Sequence, residues 1–252
     1  MAPKPTFSKE LIKINDVEAT VNSICNKIKD DVYKVLRRKG GVIGISGGID
    51  SSVTLALTAR ALGPSKVKGI MLPEKDSSLD SLDLAKKLAE KFEVPYEIED
   101  ISGVLEGLNC YKRRDEAVKK VLPEYNPEKF KFKIGIIPNS LNPNLPAVFY
   151  ATIVDSTGAE KSKRLPIAEY LQIVAASNFK QRSRMSMLYY HAEKMHYAVI
   201  GTPNKHEVEQ GFFVKHGDGG ADVMPIAHLY KTQVYQIARY LDVPQEIIDR
   251  TP

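Results

Sequence analysis

The sequence predicts an α/β fold, a doubly wound parallel sheet flanked by helices. Three observations carry this. Val42-Ile43-Gly44-Ile45 is short, apolar and β-branched, the pattern of a buried strand, and Val53 to Leu62 follows it with helical period and good helix formers. The alternation then repeats, with strand-like Val67 to Pro73, amphipathic Asp80 to Phe92 and strand-like Pro95 to Ile101. Strands separated by helices at this spacing pair in parallel through right-handed crossovers. Finally, a fourth buried strand, Tyr197 to Thr202, returns late in the chain.

The remaining elements follow in order. Asn15-Asp16 is a cap signal for a helix from Val17 to Arg38, with Val21, Ile24, Cys25, Ile28, Val32 and Val35 on one face. Arg37-Arg38-Lys39 followed by Gly40-Gly41 is a helix stop. Residues 102–125 read as a helical excursion whose basic patch, Lys112-Arg113-Arg114, is solvated surface. Pro127, Pro138, Pro143 and Pro146 break any helix after it, and Phe149 to Val154 with Asp155 to Gly158 reads as strand and turn. Residues 126–165 are therefore expected to be an insertion, a hairpin, in one domain spanning 1–252. Ile167 to Met195 is helical, Gly211 to Asp222 is a glycine-rich loop, and Tyr230 to Leu241 and Pro244 to Arg250 are the last helices.

Length and composition narrow the function. A chain of 252 residues fits one large α/β domain. Two cysteines are too few for a disulfide framework, and no apolar segment resembles a signal peptide or a spanning helix, so a cytoplasmic location is expected. The net charge of +5 suits an anionic substrate. Basic and acidic residues interleave, which argues against nucleic acid as a partner, and no membrane association is expected.

The chemistry centres on Ser46-Gly47-Gly48-Ile49-Asp50-Ser51-Ser52, between the first strand and its helix. Adjacent glycines permit positive φ and close approach of a ligand. Several N–H groups then converge at the positive end of a helix, which favours a phosphate. Asp50 would repel that phosphate unless it holds a cation, and Mg²⁺ carried by a nucleotide is the obvious one. Neither Gly-Lys-Ser/Thr nor Gly-x-Gly-x-x-Gly is present at the loop. The plain alternative is a turn and a helix cap. In parallel sheets ligands bind at the carboxyl ends of the strands, so Ser46–Ser52, Pro73–Ser78 and the segment after Ile101 should face one cleft. The loop resembles the PP-loop of the N-type ATP pyrophosphatases, which cleave ATP between its α and β phosphates.

A second constellation lies near the C-terminus. Gly201-Thr202-Pro203-Asn204-Lys205-His206-Glu207 leaves a strand at its carboxyl end, Gly211 to Asp222 gathers glycines with Asp218 and Asp222, and Leu229-Tyr230-Lys231-Thr232-Gln233 opens a helix with a lysine. With Asn178-Phe179-Lys180-Gln181-Arg182-Ser183-Arg184-Met185, these pieces resemble, in order across residues 40–252, the ammonia-using NAD synthetases. Pro203 departs from that pattern, 126–165 is longer than expected, and the family continues past Arg250-Thr251-Pro252 into a tail near its active site.

The resemblance implies a Rossmann-like, adenine-nucleotide-alpha-hydrolase-like fold and amidation of deamido-NAD to NAD. ATP would adenylate the nicotinate carboxylate, pyrophosphate would leave, and ammonia would displace AMP. It implies ATP contacts from Ser46, Gly47, Gly48, Asp50, Ser51, Ser52, Arg182, Thr202 and Lys231, and Mg²⁺ ligation by Asp50 and Glu207. It implies deamido-NAD contacts from Arg184, Phe212, Lys215, Asp218 and Asp222, catalytic roles for Lys231, Asp218 and Asp222, and a homodimer. Neither Cys25 nor Cys110 sits in an amidotransferase setting, so free ammonia or a separate subunit is the nitrogen source. The rival readings are another adenylating PP-loop enzyme acting on a different carboxylate, and a nucleotide-binding protein without catalysis.

Overall fold

A computed structural model of the chain describes residues 8–137 and 148–250. Pro138, Pro143, Pro146, Thr251 and Pro252 lie outside them. In chain order the main elements are α1 (Val17–Lys29), β1 (Gly41–Gly44), α2 (Ile49–Leu62), β2 (Val67–Met71), α3 (Leu79–Lys91), β3 (Tyr96–Ile98), α4 (Ser102–Gly107), α5 (Cys110–Val121), β4 (Lys131–Ile137), β5 (Val148–Val154), β6 (Glu160–Arg164), α6 (Ile167–Met195), β7 (Ala198–Ile200), α7 (Lys205–Glu209), α8 (Lys231–Tyr240) and α9 (Gln245–Ile248).

The chain divides into two compact units, Met1–Ser102 with Arg182–Pro252, and Gly103–Gln181. The first unit holds a four-stranded parallel sheet in the order β3-β2-β1-β7. The chain steps from β1 to β2 to β3 in one direction and then places β7 on the other side of β1. This is the expected doubly wound topology, and its switch point lies between β1 and β7, where such sheets open a crevice at the carboxyl ends of the strands. A parallel bridge from Ile200 to Val223 extends that edge.

The central helix α2 is buried on nearly every side, with Val53, Leu55, Ala56 and Leu57 at most 1% exposed. It packs between the sheet, α1 and α8, which explains why its sequence is apolar all round rather than striped. Asp16 caps α1 by accepting from the Ala19 N–H at 2.8 Å. The expected face of α1 holds through Val32, and then Asp30–Val35 continues as π-helix, with Leu36 N donating to Asp31 O. The wider turn shifts the helical phase, so Val35, expected on the buried face, is 70% exposed.

The second unit contains α4, α5, the antiparallel sheet β4-β5-β6 and the start of α6. Ala117, Val118, Val121, Ile153, Leu165 and Ile173 form its core, and the Phe149 and Tyr170 rings stack at 3.9 Å. The sequence suggests a hairpin here, whereas the sheet has three strands. The third, Glu160-Lys161-Ser162-Lys163-Arg164, is exposed at every residue and has no apolar alternation to mark it. Charge on such an edge strand blocks pairing with other chains.

Candidate active site

The turn from β1 into α2 is built by its glycines and serines. Gly47 takes φ +73°, and a Cβ there would lie 2.5 Å from the Ser81 carbonyl oxygen. Only glycine satisfies both constraints. Ser46 and Ser51 hydroxyls meet at 3.1 Å, Gly48 N–H donates to Ser46 Oγ, and the Ser51 and Ser52 hydroxyls donate to Gly48 O at 3.0 and 2.8 Å. Ser52 is fully buried and Ser51 nearly so, so their hydroxyls shape the loop from beneath, while Ser46 lies at the surface. Gly48 is the N-cap of α2 and supplies no capping side chain, which leaves the first amides of this 14-residue helix to other acceptors.

Asp50, in the first turn of α2, turns away from the core toward the segment beyond β7. Its Oδ2 pairs with Lys231 Nζ, and its Oδ1 accepts from Asn204 Nδ2 at 3.3 Å. Asn204 caps α7, accepting from the His206 and Glu207 N–H groups, while Asn204 N–H donates to Glu207 Oε2 at 2.8 Å. This capping box points the Glu207 carboxylate back toward Asp50. Tyr230, just ahead of α8, joins the two helix starts. The Lys205 ammonium sits 4.4 Å from its ring centre, the His206 ring is at 5.4 Å, and Lys205 N–H donates to Leu229 O. Thr202, half-buried, lies between β7 and Asn204. The loop, Asp50, Asn204, Glu207 and Lys231 thus meet at the topological switch point.

Burial pushes the Glu207 carboxyl above its usual range, the Asn204 N–H opposes this, Asp50 raises it further, Lys231 opposes, and Asp218 adds to the rise. Oxygen donors of one sign converging with one lysine nearby fit a hard divalent cation such as Mg²⁺. The shift also has a stability consequence. A carboxyl with a raised native pKa binds its proton more tightly folded than unfolded, so stability falls as pH climbs from the unfolded value through the native one. Glu207→Gln, which preserves the capping box, should therefore raise the thermal midpoint of metal-free protein at pH 7. The gain should shrink as the pH approaches the ordinary carboxylate range. Melting curves between pH 5 and 8 check this; an unchanged or lower midpoint at pH 7 would show that the carboxylate is not under strain.

The other expected site residues are organised by local bonds. Arg182 Nε donates to Lys215 O at 3.2 Å, and Arg184 Nε to Leu72 O at 3.3 Å at the end of β2. Asp218 Oδ1 accepts from Val214 N–H and tightens the glycine-rich loop. Asp222 accepts from Val199 N–H and from the Tyr189 hydroxyl, both at 2.8 Å. Burial and Asp222 push the Tyr189 phenol far above its usual range, so it stays a donor. Phe212 is 80% exposed and Phe213 packs over Gly219. Away from this site, among the described residues, His191 bonds Glu99 at 2.7 Å near Glu97, and Lys68 pairs with Glu97, so that cluster is internally compensated.

A family model described as NAD synthase matches residues 20–126 and 150–252. The chain belongs to the NAD synthase family. It is 48% identical to the NH3-dependent NAD+ synthetase of Mesorhizobium japonicum over 94% of this chain and 74% of that protein. With its counterpart in Rhizobium rhizogenes it shares 45% identity over 100% of this chain and 76% of that one. Among solved structures it resembles the NH3-dependent NAD synthetase of Campylobacter jejuni, described in complex with nitrate, with a TM-score of 0.64, 25% identity, and coverage of 92% and 76% of the two chains.

The matched ranges break between residues 126 and 150, inside the stretch expected as an insertion. Two residues that hold the site together escape the sequence reading. Asn204 carries a signal that could have found it, because Asn-x-x-Glu is a capping-box signature. Tyr230 carries none for its contacts with Lys205 and His206, which come from a segment distant in sequence.

Proposed function

We propose that this chain amidates deamido-NAD to NAD, with ammonia as nitrogen donor and ATP as the activating substrate. The observation that carries the reading is the meeting of the loop 46–52 with Asp50, Glu207 and Lys231 at the switch point, in a chain whose relatives bear the name NH3-dependent NAD+ synthetase. A carboxylate oxygen is a poor leaving group, so the acid attacks the α phosphorus of ATP, and the bond to the bridging oxygen breaks as pyrophosphate leaves. Ammonia then adds to the acyl-adenylate, loses a proton, and AMP departs with one former carboxylate oxygen.

In this reading the amides of 46–48, with Ser46, Ser51 and Ser52, hold the pyrophosphate, the last two by shaping the loop. Thr202, Arg182 and Lys231 contact ATP. Lys231 lies where negative charge grows between the α and β phosphates and stabilises it. Asp50 and Glu207 would hold Mg²⁺, which neutralises phosphate charge when bound. Arg184, Phe212, Lys215, Asp218 and Asp222 contact deamido-NAD, with both aspartates orienting the pyridine end and the incoming ammonia. A homodimer, a cytoplasmic location and a single catalytic domain interrupted at 126–165 belong to the same proposal. The family membership, the parallel sheet and the cluster of carboxylates with a lysine support it.

The test incubates the protein with ATP, Mg²⁺, an ammonium salt and deamido-NAD. NAD, AMP and pyrophosphate should form in equal amounts, and omission of deamido-NAD should stop pyrophosphate release. Turnover of another carboxylic acid but not deamido-NAD would overturn the substrate assignment, and binding of ATP without any turnover would favour a non-catalytic role.

A further inference from the structure

Arg250 reaches the phosphate loop from the far end of the chain. Ile247 and Ile248 of α9 are buried in the core of the first unit, which anchors the backbone just before it. The pairs Lys87–Glu246 at 2.7 Å and Lys91–Asp242 at 2.6 Å tie α3 to the same end of the chain. From that anchor the half-buried Arg250 side chain turns back. Its Nη1 donates to Gly47 O at 3.4 Å and its Nη2 to Ser81 Oγ at 2.8 Å. Gly47 is the left-handed residue of the loop, and Ser81 is the residue whose carbonyl oxygen crowds it. Ser81 is in turn held by Ser78, whose hydroxyl lies 2.9 Å from its own. One guanidinium therefore bridges the Gly47 carbonyl and the Ser81 side chain at the sharpest point of the turn. A planar fork can make both bonds at once, whereas an ammonium on a flexible stem is a single point donor.

We propose that Arg250 is a positioning residue for the pyrophosphate-binding loop. It clamps Gly47 against the first turn of α3, so the loop amides stay convergent, and it adds positive charge beside the anion. This rests on reading the loop as the pyrophosphate cradle. The loop's inner hydroxyls are occupied by Gly48 O, so its grip depends on where the backbone amides point. That direction is what the Gly47 clamp controls.

The test compares wild type, Arg250→Lys and Arg250→Ala in the full protein. It measures the KM for ATP, product inhibition by pyrophosphate and by AMP, and rescue of Arg250→Ala by millimolar guanidinium. Hydrogen bonds to a charged group contribute about 1.5–3 kcal/mol, so the KM for ATP and the pyrophosphate inhibition constant should rise about 10- to 100-fold in Arg250→Ala. AMP inhibition should be nearly unchanged, Arg250→Lys should fall between, and guanidinium should restore part of the loss. Unchanged ATP and pyrophosphate constants in Arg250→Ala would overturn the proposal. So would equal losses for AMP and pyrophosphate with no rescue, which would mark a general structural role. Should Arg250→Ala misfold, the same constants in Arg250→Lys decide, and wild-type values there would overturn the clamp. A wild-type protein that releases no pyrophosphate overturns the loop reading instead, and that arm is read before the variants.

Discussion

Asp50→Asn should cut pyrophosphate release by about 10²- to 10⁴-fold while leaving the fold standing. Asp50 is only partly buried, and both its oxygens face the cluster rather than the core, toward Lys231 and Asn204. Asparagine keeps the size and one acceptor oxygen, so Lys231 retains a neutral partner and α2 keeps its packing. What disappears is one of the two negative charges proposed to hold a divalent cation. Charge neutralisation of this kind is worth several kcal/mol in the transition state, and about 1.4 kcal/mol is tenfold in rate. The experiment is the deamido-NAD-dependent release of pyrophosphate, with circular dichroism and a melting curve beside it. The Mg²⁺ concentration giving half-maximal rate should also rise. Near-normal turnover at ordinary Mg²⁺ would remove Asp50 from the metal role.

Lys231→Ala should lower kcat by about 10²- to 10³-fold, the usual loss when a group stabilising developing charge is removed. Lys231 starts α8 and turns its ammonium onto Asp50, with its helix start held by Tyr230, whose N–H donates to Gln233 Oε1 at 2.8 Å. A surface lysine would give no change. A ground-state phosphate binder would raise the ATP dissociation constant and keep kcat. A loss of kcat at near-constant ATP affinity matches a cation that acts on charge created during adenylation. Steady-state kinetics at saturating substrates, with a separate ATP dissociation constant, separate the three.

Much of the fold is legible in the sequence because its signals are local. Val42 to Ile45 and Ala198 to Ile200 are short apolar runs between turn signals, the pattern of buried parallel strands, and Ser46 to Ser52 announces the loop between strand and helix. The site is legible in part for the same reason, as Asp50, Glu207 and Lys231 each stand at a helix start. What is not legible depends on distance or on phase. The π-helical Asp30–Val35 turns Val35 outward without any residue that marks it. The strand Glu160–Arg164 pairs through its backbone, Thr152 opposite Ser162, while its side chains look like a solvated loop. Arg250 lies 203 residues from Gly47 in the chain and meets it only because α9 buries Ile247 and Ile248 in the core beside α2.

In the proposed reaction the carboxylate of deamido-NAD attacks ATP directly and is carried as an acyl-adenylate until ammonia displaces AMP. Deamido-NAD labelled with ¹⁸O in its nicotinate carboxylate tests it. Mass spectrometry of the products should find one labelled oxygen in the phosphate of AMP and one in the amide of NAD, with none in pyrophosphate. NAD formed with unlabelled AMP, or label recovered in pyrophosphate, would contradict this route.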